Sequence, residues 1–232
     1  MAKNNRLSNT LNRTETILGW LWLMFQLLAL PHLLRAVNAA VGSPLNGGWL
    51  SFLFTCVNAI CAAFLLRKFL HRSLVDFGNN FPRCLRGAFL GFCVYYVCSQ
   101  ATGNLFGFLF PWFSNINDGQ VAALLRLNYL PMVIGTVVLV PFVEELLYRG
   151  VLFQSLYLRD HRLGYLFSTV LFCAIHVLPY LGSADIPTLI LCFLQYIPAG
   201  LCLAWAYTEA DNIFAPILIH AVMNALGVYA VR

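Results

Sequence analysis

The sequence predicts an all-α protein, a polytopic transmembrane bundle of about seven helices. Of its 232 residues, 60% are hydrophobic and only 10% are charged, and the mean hydropathy is +0.76. A soluble domain carries about 25% charged residues. No aqueous fold of this length could hide so much apolar surface, so lipid must be the solvent for most of the chain. Seven apolar runs, each near the ~20 residues that cross hydrocarbon, occupy nearly all of the length.

The apolar runs divide the chain into its predicted elements. Hydrocarbon leaves unpaired backbone groups unsatisfied, so each run is predicted to be a helix. Residues 1–16 form a polar tail, residues 17–128 hold the first three helices, and residues 129–232 hold the last four. The predicted spans are 17–34, 48–66, 87–110, 129–156, 163–181, 187–207 and 213–231.

The basic residues of the loops predict an orientation. A cytoplasmic N-terminus places ten of them inside and three outside, and seven spans then put the C-terminus outside. The formal charge of +5 therefore reports membrane orientation, and nucleic acid is not an expected partner. The inner set is Lys3, Arg6, Arg13, Arg67, Lys68, Arg72, Arg83, Arg86, Arg159 and Arg162, and the outer set is Arg35, Arg126 and Arg232.

Ionisable side chains inside spans are concentrated in the C-terminal half. Each costs about 3 kcal/mol or more at the bilayer centre and therefore needs a reason. The fourth span contains a cluster of three, whereas the fifth and seventh spans contain one histidine each. The residues are Glu144, Glu145, Arg149, His176 and His220.

The fourth-span cluster has two interpretations. Glu145 and Arg149 are spaced i,i+4, so they can pair on one helix face. Glu144 points about 100° away, and an unpaired carboxylate in an apolar setting is suited to act as a general base. The alternative is an ion pair that only locks two helices together, with Glu144 as an ordinary hydrogen-bonding group.

The histidines favour the first interpretation. Glu144 and His176 each lie 16 residues from Asp160 in the turn between two spans, so they are expected at similar depth. Phe172 lies one turn from His176 and is expected to pack beside its ring. His220 and Asn224 share a face of the last span, where they could donate to an oxyanion, hold a metal, or join helices.

Together these motifs resemble a known family. The set Glu144-Glu145-x-x-x-Arg149, Phe172-x-x-x-His176 and His220-x-x-x-Asn224 is similar to that of the CPBP family. This family comprises type II CAAX prenyl endopeptidases and bacteriocin-processing or immunity proteins. The resemblance covers about residues 129–231 and implies that residues 129–232 are a catalytic membrane core.

The resemblance also implies roles for the residues. Glu144 would activate water with the help of His176, Glu145 and Arg149 would support it, and His220 with Asn224 would stabilise the oxyanion. The family is commonly classed as metalloprotease. Zinc held by His176, His220 and Glu144 therefore stays open beside a metal-independent mechanism.

The resulting expectation is an integral, multi-pass intramembrane endopeptidase. Its partners would be membrane lipid and a prenylated (CAAX-type) or hydrophobic peptide or protein substrate, cleaved by glutamate-activated water. One alternative is a non-catalytic bacteriocin self-immunity or scaffold protein. Another, which the lack of an internal repeat disfavours, is a proton-coupled transporter, because intramembrane Glu and His also serve proton relays.

Overall fold

The structure, a computed structural model, describes residues 7–42 and 45–230, and every regular element in these ranges is helical. This confirms the all-α bundle that composition predicted. The helices are α1 (Arg13–Leu28), α2 (Leu30–Ala40), α3 (Gly47–Leu65), α4 (Arg67–Asn79), α5 (Phe81–Leu109), α6 (Ile116–Leu127), α7 (Tyr129–Tyr157), α8 (His161–Ile175), α9 (Ile186–Ala210) and α10 (Phe214–Ala230).

Several of these helices have the length and apolarity to cross a membrane. Within the described residues, α3, α7, α9 and the segment His161–Tyr180 containing α8 qualify. Helices α1 and α2 are bent by 53° and add a fifth if the pair is one span. The remaining two predicted spans occur as α5, with 29 residues, and the shorter α10, with 17 residues. Seven crossings, and the orientation that depends on their parity, stay a prediction.

Large apolar side chains cover the outer surface of the bundle. Phe108 is 82% exposed, Ile60 is 70% exposed and Leu130 is 67% exposed, and similar residues occur on α1, α8 and α9. A monomeric soluble protein rarely exposes such contiguous apolar patches. The surface therefore indicates helices that face lipid on the outside and each other on the inside.

Helix α9 packs in the middle of the bundle, against α5, α8 and α10. Its contact with α5 depends on small residues in both helices. A Cβ added to Gly87 would lie 2.7 Å from the Cβ of Ala210, and one added to Gly91 would lie 2.7 Å from the Cβ of Ala206. Because small side chains allow two backbones to approach closely, this pairing stabilises helices in lipid by van der Waals contact.

The polar segment before α1 is packed against the bundle. We call residues 8–15 the N-terminal clamp. Ser8 donates from its backbone N–H and its hydroxyl to the carboxylate of Asp211, between α9 and α10. Leu11 N–H donates to Gln154 Oε1 at the end of α7, and Gln154 Nε2 donates back to the Asn9 carbonyl. The clamp thus ties the start of the chain to its C-terminal half.

Glu15 completes the N-terminal clamp as a buried, fully bonded carboxylate. Its Oε1 accepts from the Phe69 N–H at 2.6 Å. Its Oε2 accepts from Arg72 Nη2 and from the Asn12 N–H, both at 3.1 Å. Since α1 begins at Arg13, the helix starts inside the predicted tail 1–16.

The same end of the bundle carries several of the predicted inner basic residues. Arg72 contacts the N-terminal clamp, and Arg83 pairs with Asp76 at 2.8 Å and lies 3.9 Å from Asp211. Lys3, Arg6 and Arg232 lie outside the described residues. These contacts bring the N-terminal clamp, the basic residues of α4 and α5, and the turn between α9 and α10 together at one end of the bundle. A cytoplasmic location for that end stays a prediction.

Candidate active site

Helix α7, which carries both glutamates, is wound in two stretches as a π-helix, Gly135–Leu139 and Glu145–Phe153. Short π segments inside α-helices are frequent at functional sites. In the first stretch the Val140 N–H donates to the Gly135 carbonyl. Pro141 has no N–H to continue that i→i+5 pattern to the Thr136 carbonyl.

Asn224 of α10 bonds the carbonyl that Pro141 leaves free. Its Nδ2 donates to the Thr136 carbonyl at 2.8 Å. Asn224 is thus directed at α7, as its shared face with His220 predicts. One of its two amide hydrogens bonds this carbonyl. Pro216, by contrast, lies in the first turn of α10, where it displaces no helical hydrogen bond.

Glu145 and Arg149 form the predicted pair in the fully buried centre of the bundle. Arg149 Nη1 donates to Glu145 Oε1 at 3.0 Å, and both side chains are 0% exposed. The guanidinium also donates from Nη2 to the Gly200 carbonyl and lies 4.4 Å from the ring centroid of Phe172. A carboxylate, a carbonyl and an aromatic face together compensate the buried positive charge.

Gly200 allows α8 and α9 to pack closely beside Arg149. A Cβ on it would lie 3.0 Å from the Thr169 Cα and 2.7 Å from its Cγ2. No side chain fits there without moving backbone. The glycine thereby places its carbonyl within reach of Arg149.

His220 lies between the two glutamates. Its Nδ1 is 2.8 Å from Glu145 Oε1, and its Nε2 is 4.0 Å from Glu144 Oε2. Because an ionised carboxylate can only accept, Nδ1 carries the proton of this hydrogen bond. The other ring nitrogen is thereby turned towards Glu144. Sequence spacing alone separates the glutamates by 100°, yet one imidazole contacts both.

Each of the two glutamates keeps one buried oxygen that no described residue bonds. The Glu144 side chain is 18% exposed. Its Oε2 is buried and accepts no hydrogen bond from any described residue, and the same is true of Glu145 Oε2. Buried polar atoms are nearly always bonded, so an unbonded oxygen in such a place requires an explanation such as a catalytic role.

His176 joins this cluster through Phe172. The His176 Nδ1 donates to the Phe172 carbonyl at 2.8 Å, and the two rings lie 4.8 Å apart, as predicted. Phe172 also contacts His220, with ring centroids 5.8 Å apart. Among the described residues, no hydrogen bond or ion pair joins His176 directly to Glu144. The aromatic ring is thus the common neighbour of both imidazoles and the arginine.

The possible zinc ligands do not form a metal site in this arrangement. Across residues 7–42 and 45–230, no group of three His, Cys, Asp or Glu side chains is placed to hold an ion. Both histidine Nδ1 atoms are bonded within the protein, one to the Phe172 carbonyl and one to Glu145, so only the Nε2 atoms could reach a metal. As placed here, His176, His220 and Glu144 do not converge on one ion, and no step of the proposed mechanism uses a metal.

A second polar cluster, which sequence reasoning missed, lies beside His176. Tyr196 of α9 stacks on the His176 ring, and its hydroxyl bonds Asn117 and Asp118 at the start of α6. Burial raises the pKa of the Asp118 carboxyl, and the hydrogen bond from Tyr196 opposes that effect. The available signal was the polar pair Gln195-Tyr196 inside an otherwise apolar run.

A cavity of about 440 Å³ opens next to this second cluster, between α5, α6 and α9. Its wall includes Asn115, Asp118 and Gln195. It also includes Gly103 and Gly107 of α5, where an added Cβ would meet no atom within 4 Å.

Comparison with known proteins identifies the region that carries these motifs. Residues 126–226 match the family model described as Type II CAAX prenyl endopeptidase Rce1-like. No curated protein and no solved structure matches the chain. The matched range contains all six predicted site residues, Glu144, Glu145, Arg149, His176, His220 and Asn224. Residues 126–226, somewhat less than half of the chain, are thus similar to the type II CAAX prenyl endopeptidases of the CPBP family.

Proposed function

We propose that this protein hydrolyses a peptide bond in a prenylated or otherwise hydrophobic membrane-associated substrate, with Glu144 as the general base. The observation that carries the proposal is the Glu144 Oε2 atom, buried without a donor and 4.0 Å from His220 Nε2. An acceptor held in this way is free to take a proton from water. The similarity of residues 126–226 to type II CAAX prenyl endopeptidases supports peptide hydrolysis as the chemistry.

The mechanism begins with activation of water. Glu144 removes one proton from a water molecule. The neutral His176 ring donates its Nδ1–H to the Phe172 carbonyl, so its Nε2 is an acceptor that can orient the same water. The resulting hydroxide attacks the scissile carbonyl carbon and forms a tetrahedral intermediate with an oxyanion.

His220 and Asn224 are proposed to stabilise that oxyanion. When His220 is protonated, its Nε2–H can donate while Glu145, bonded to Nδ1, stabilises the imidazolium. Asn224 retains a second amide hydrogen beyond the one given to Thr136. The intermediate then breaks the C–N bond, and the proton held by Glu144 passes to the departing amine.

The test is a cleavage assay with purified protein in lipid nanodiscs. Farnesylated CAAX peptides are compared with the same peptides lacking the prenyl group and with apolar peptides of matched length. We expect product formation by the native protein, and loss of at least about 10²-fold in the Glu144→Gln variant, the contribution of a general base.

A failed assay has a defined interpretation. If no peptide is cleaved, the membrane peptides of cells with the native protein are compared with those of cells carrying Glu144→Gln. Identical peptide profiles, with equal amounts of both proteins in the membrane, contradict the proposal and favour the scaffold or immunity function. Transport in liposomes that Glu144→Gln abolishes, without peptide cleavage, would indicate a proton-coupled transporter.

A further inference from the structure

We propose that Tyr196 is the positioning residue for His176, and that Asp118 and Asn117 of α6 hold Tyr196 in place. The inference rests on the proposed function, in which His176 orients the attacking water. It extends that function to residues 115–118, which precede the range matched by the family model.

The rings of His176 and Tyr196 are in direct contact. The centroids of His176 and Tyr196 are 4.2 Å apart and their planes differ by 28°, a stacked arrangement. Phe172 contacts the imidazole as well, with planes tilted by 49°. With its Nδ1 bonded to the Phe172 carbonyl, the imidazole is restrained by one hydrogen bond and two aromatic contacts.

His176 needs such a restraint because of its place in the chain. Helix α8 ends at Ile175, and His176 is the capping residue after the last helical turn. Helix ends fray, so the backbone at His176 is held less firmly than the backbone of a helix interior. Most of the orientation of this ring must therefore come from neighbours, and Tyr196 lies on a different helix, in the well-packed α9.

Two side chains of α6 anchor Tyr196. Its hydroxyl donates to Asp118 Oδ1 at 3.1 Å and accepts from Asn117 Nδ2 at 3.0 Å. Asn117 Oδ1 accepts in turn from the Tyr180 hydroxyl at 3.1 Å. Both hydrogen-bonding capacities of the Tyr196 hydroxyl are thus satisfied by side chains of α6, which fixes where its ring can lie.

The start of α6, which anchors Tyr196, is itself held by hydrogen bonds. Asn115 caps α6, because its Oδ1 accepts from the backbone N–H groups of Asn117 and Asp118 at 2.9 and 3.2 Å. Asn115 Nδ2 donates to Gln195 Oε1 at 2.8 Å, next to Tyr196 in the chain. The start of α6 is therefore bonded to α9 at two adjacent residues, and a movement of α6 would be transmitted to the ring on His176.

The experiment uses three variants of the full-length protein in nanodiscs. Tyr196→Leu removes the stacking ring, Tyr196→Phe keeps the ring and removes the hydroxyl, and Asp118→Asn weakens the anchor. Tyr165→Leu is the matched control, since this α8 tyrosine also packs and bonds between helices, through Thr208, away from the site.

The cleavage assay separates positioning from general stability. We expect Tyr196→Leu to lower kcat by about tenfold, the effect of one lost aromatic contact on a catalytic step, with KM nearly unchanged. Tyr196→Phe keeps the ring but loses both anchoring hydrogen bonds, so its kcat should lie between that of Tyr196→Leu and the native value. Asp118→Asn keeps an acceptor for the Tyr196 hydroxyl and should lie nearer the native value. A native kcat in Tyr196→Leu, or an equal loss per folded molecule in Tyr165→Leu, overturns the inference.

A second measurement does not depend on cleavage. The rate at which diethyl pyrocarbonate modifies His176 is followed by mass spectrometry in each variant. Faster modification of His176 in Tyr196→Leu, with a smaller increase in Tyr196→Phe and none in Tyr165→Leu, supports the positioning role even if no peptide is cleaved. Unchanged modification in Tyr196→Leu contradicts that role, whereas cleavage that survives Glu144→Gln contradicts the proposed function alone.

Discussion

Two regions of this molecule bury carboxylates, and they differ in how many of the carboxylate oxygens are hydrogen-bonded. In the N-terminal clamp, Glu15 is 3% exposed and both of its oxygens accept hydrogen bonds, from two backbone N–H groups and an arginine. In the candidate site, Glu144 and Glu145 each keep one buried oxygen that no described residue bonds. Where a carboxylate only stabilises the fold, its acceptors are filled. Where it is proposed to act on water, acceptor capacity is left over.

This difference has opposite consequences for the free energy of unfolding. A satisfied buried carboxylate contributes to the free energy of unfolding, because its removal leaves donors without an acceptor. An unsatisfied one costs stability and persists where function needs it. Glu145 combines both, since its Oε1 accepts from Arg149 and His220 while its Oε2 has no donor. Neutralising each of the three glutamates therefore tests the comparison.

The largest change in stability is expected for Glu145→Gln. It leaves the guanidinium of Arg149 buried without a countercharge, which costs about 3–5 kcal/mol of the free energy of unfolding. Denaturant unfolding of the purified protein in detergent micelles measures this loss. The double variant Glu145→Gln with Arg149→Met removes both charges and should lose less. Equal losses in the single and double variants would show that the pair itself is not the source.

A smaller loss, about 1–3 kcal/mol, is expected for Glu15→Gln. The amide nitrogen of glutamine cannot accept, so either the Phe69 N–H, or the Asn12 N–H together with Arg72, loses this acceptor. The same unfolding experiment measures the loss, and the cleavage assay should give the native kcat per folded molecule. A fall in kcat would mean that the clamp acts on the site and that the two regions are not independent.

The smallest change in stability is expected for Glu144→Gln. No donor from the described residues is lost at its buried Oε2, and a neutral amide is cheaper to bury than a charge. The free energy of unfolding should therefore stay within about 0.5 kcal/mol of the native value or rise, although cleavage is lost. A loss as large as that of Glu15→Gln would assign Glu144 a structural role.

No effect is expected from removal of metal. Among the described residues, no three His, Cys, Asp or Glu side chains are placed to hold one ion. Cleavage measured with a membrane-permeant chelator should equal cleavage with its non-chelating isomer, and elemental analysis should find no stoichiometric zinc. Activity that the chelator removes and added zinc restores would require Glu144, His176 and His220 to rearrange into a metal site.

The part of the site that sequence predicted is the part that depends on local helix geometry. The Glu145–Arg149 pair and the Phe172–His176 contact are both spaced i,i+4, so they follow from the winding of one helix. The contact of His220 with both glutamates could not be predicted in this way. It joins positions 75 residues apart on a helix whose π winding departs from regular spacing.

The same distinction explains the parts of the fold that were missed. Apolar runs of membrane length predict spanning helices, and composition is enough for them. Helices α4 and α6 are short, and the N-terminal clamp is polar and irregular, so none of them carries that signal. Tyr196 and Asp118 meet only because α6 packs on α9, which no spacing in the sequence reports.

Helix α5 packs tightly against α9 at two of its glycines, and this contact limits where a substrate can enter from the bilayer. At Gly87 and Gly91 the backbones of α5 and α9 are so close that a single added carbon would collide with the opposite helix. An isoprenoid or acyl chain is far thicker than that gap. A lipid-attached peptide of the proposed kind must therefore enter the bundle away from this stretch of α5 and α9, and cross-links from a photoreactive prenyl analogue should avoid it.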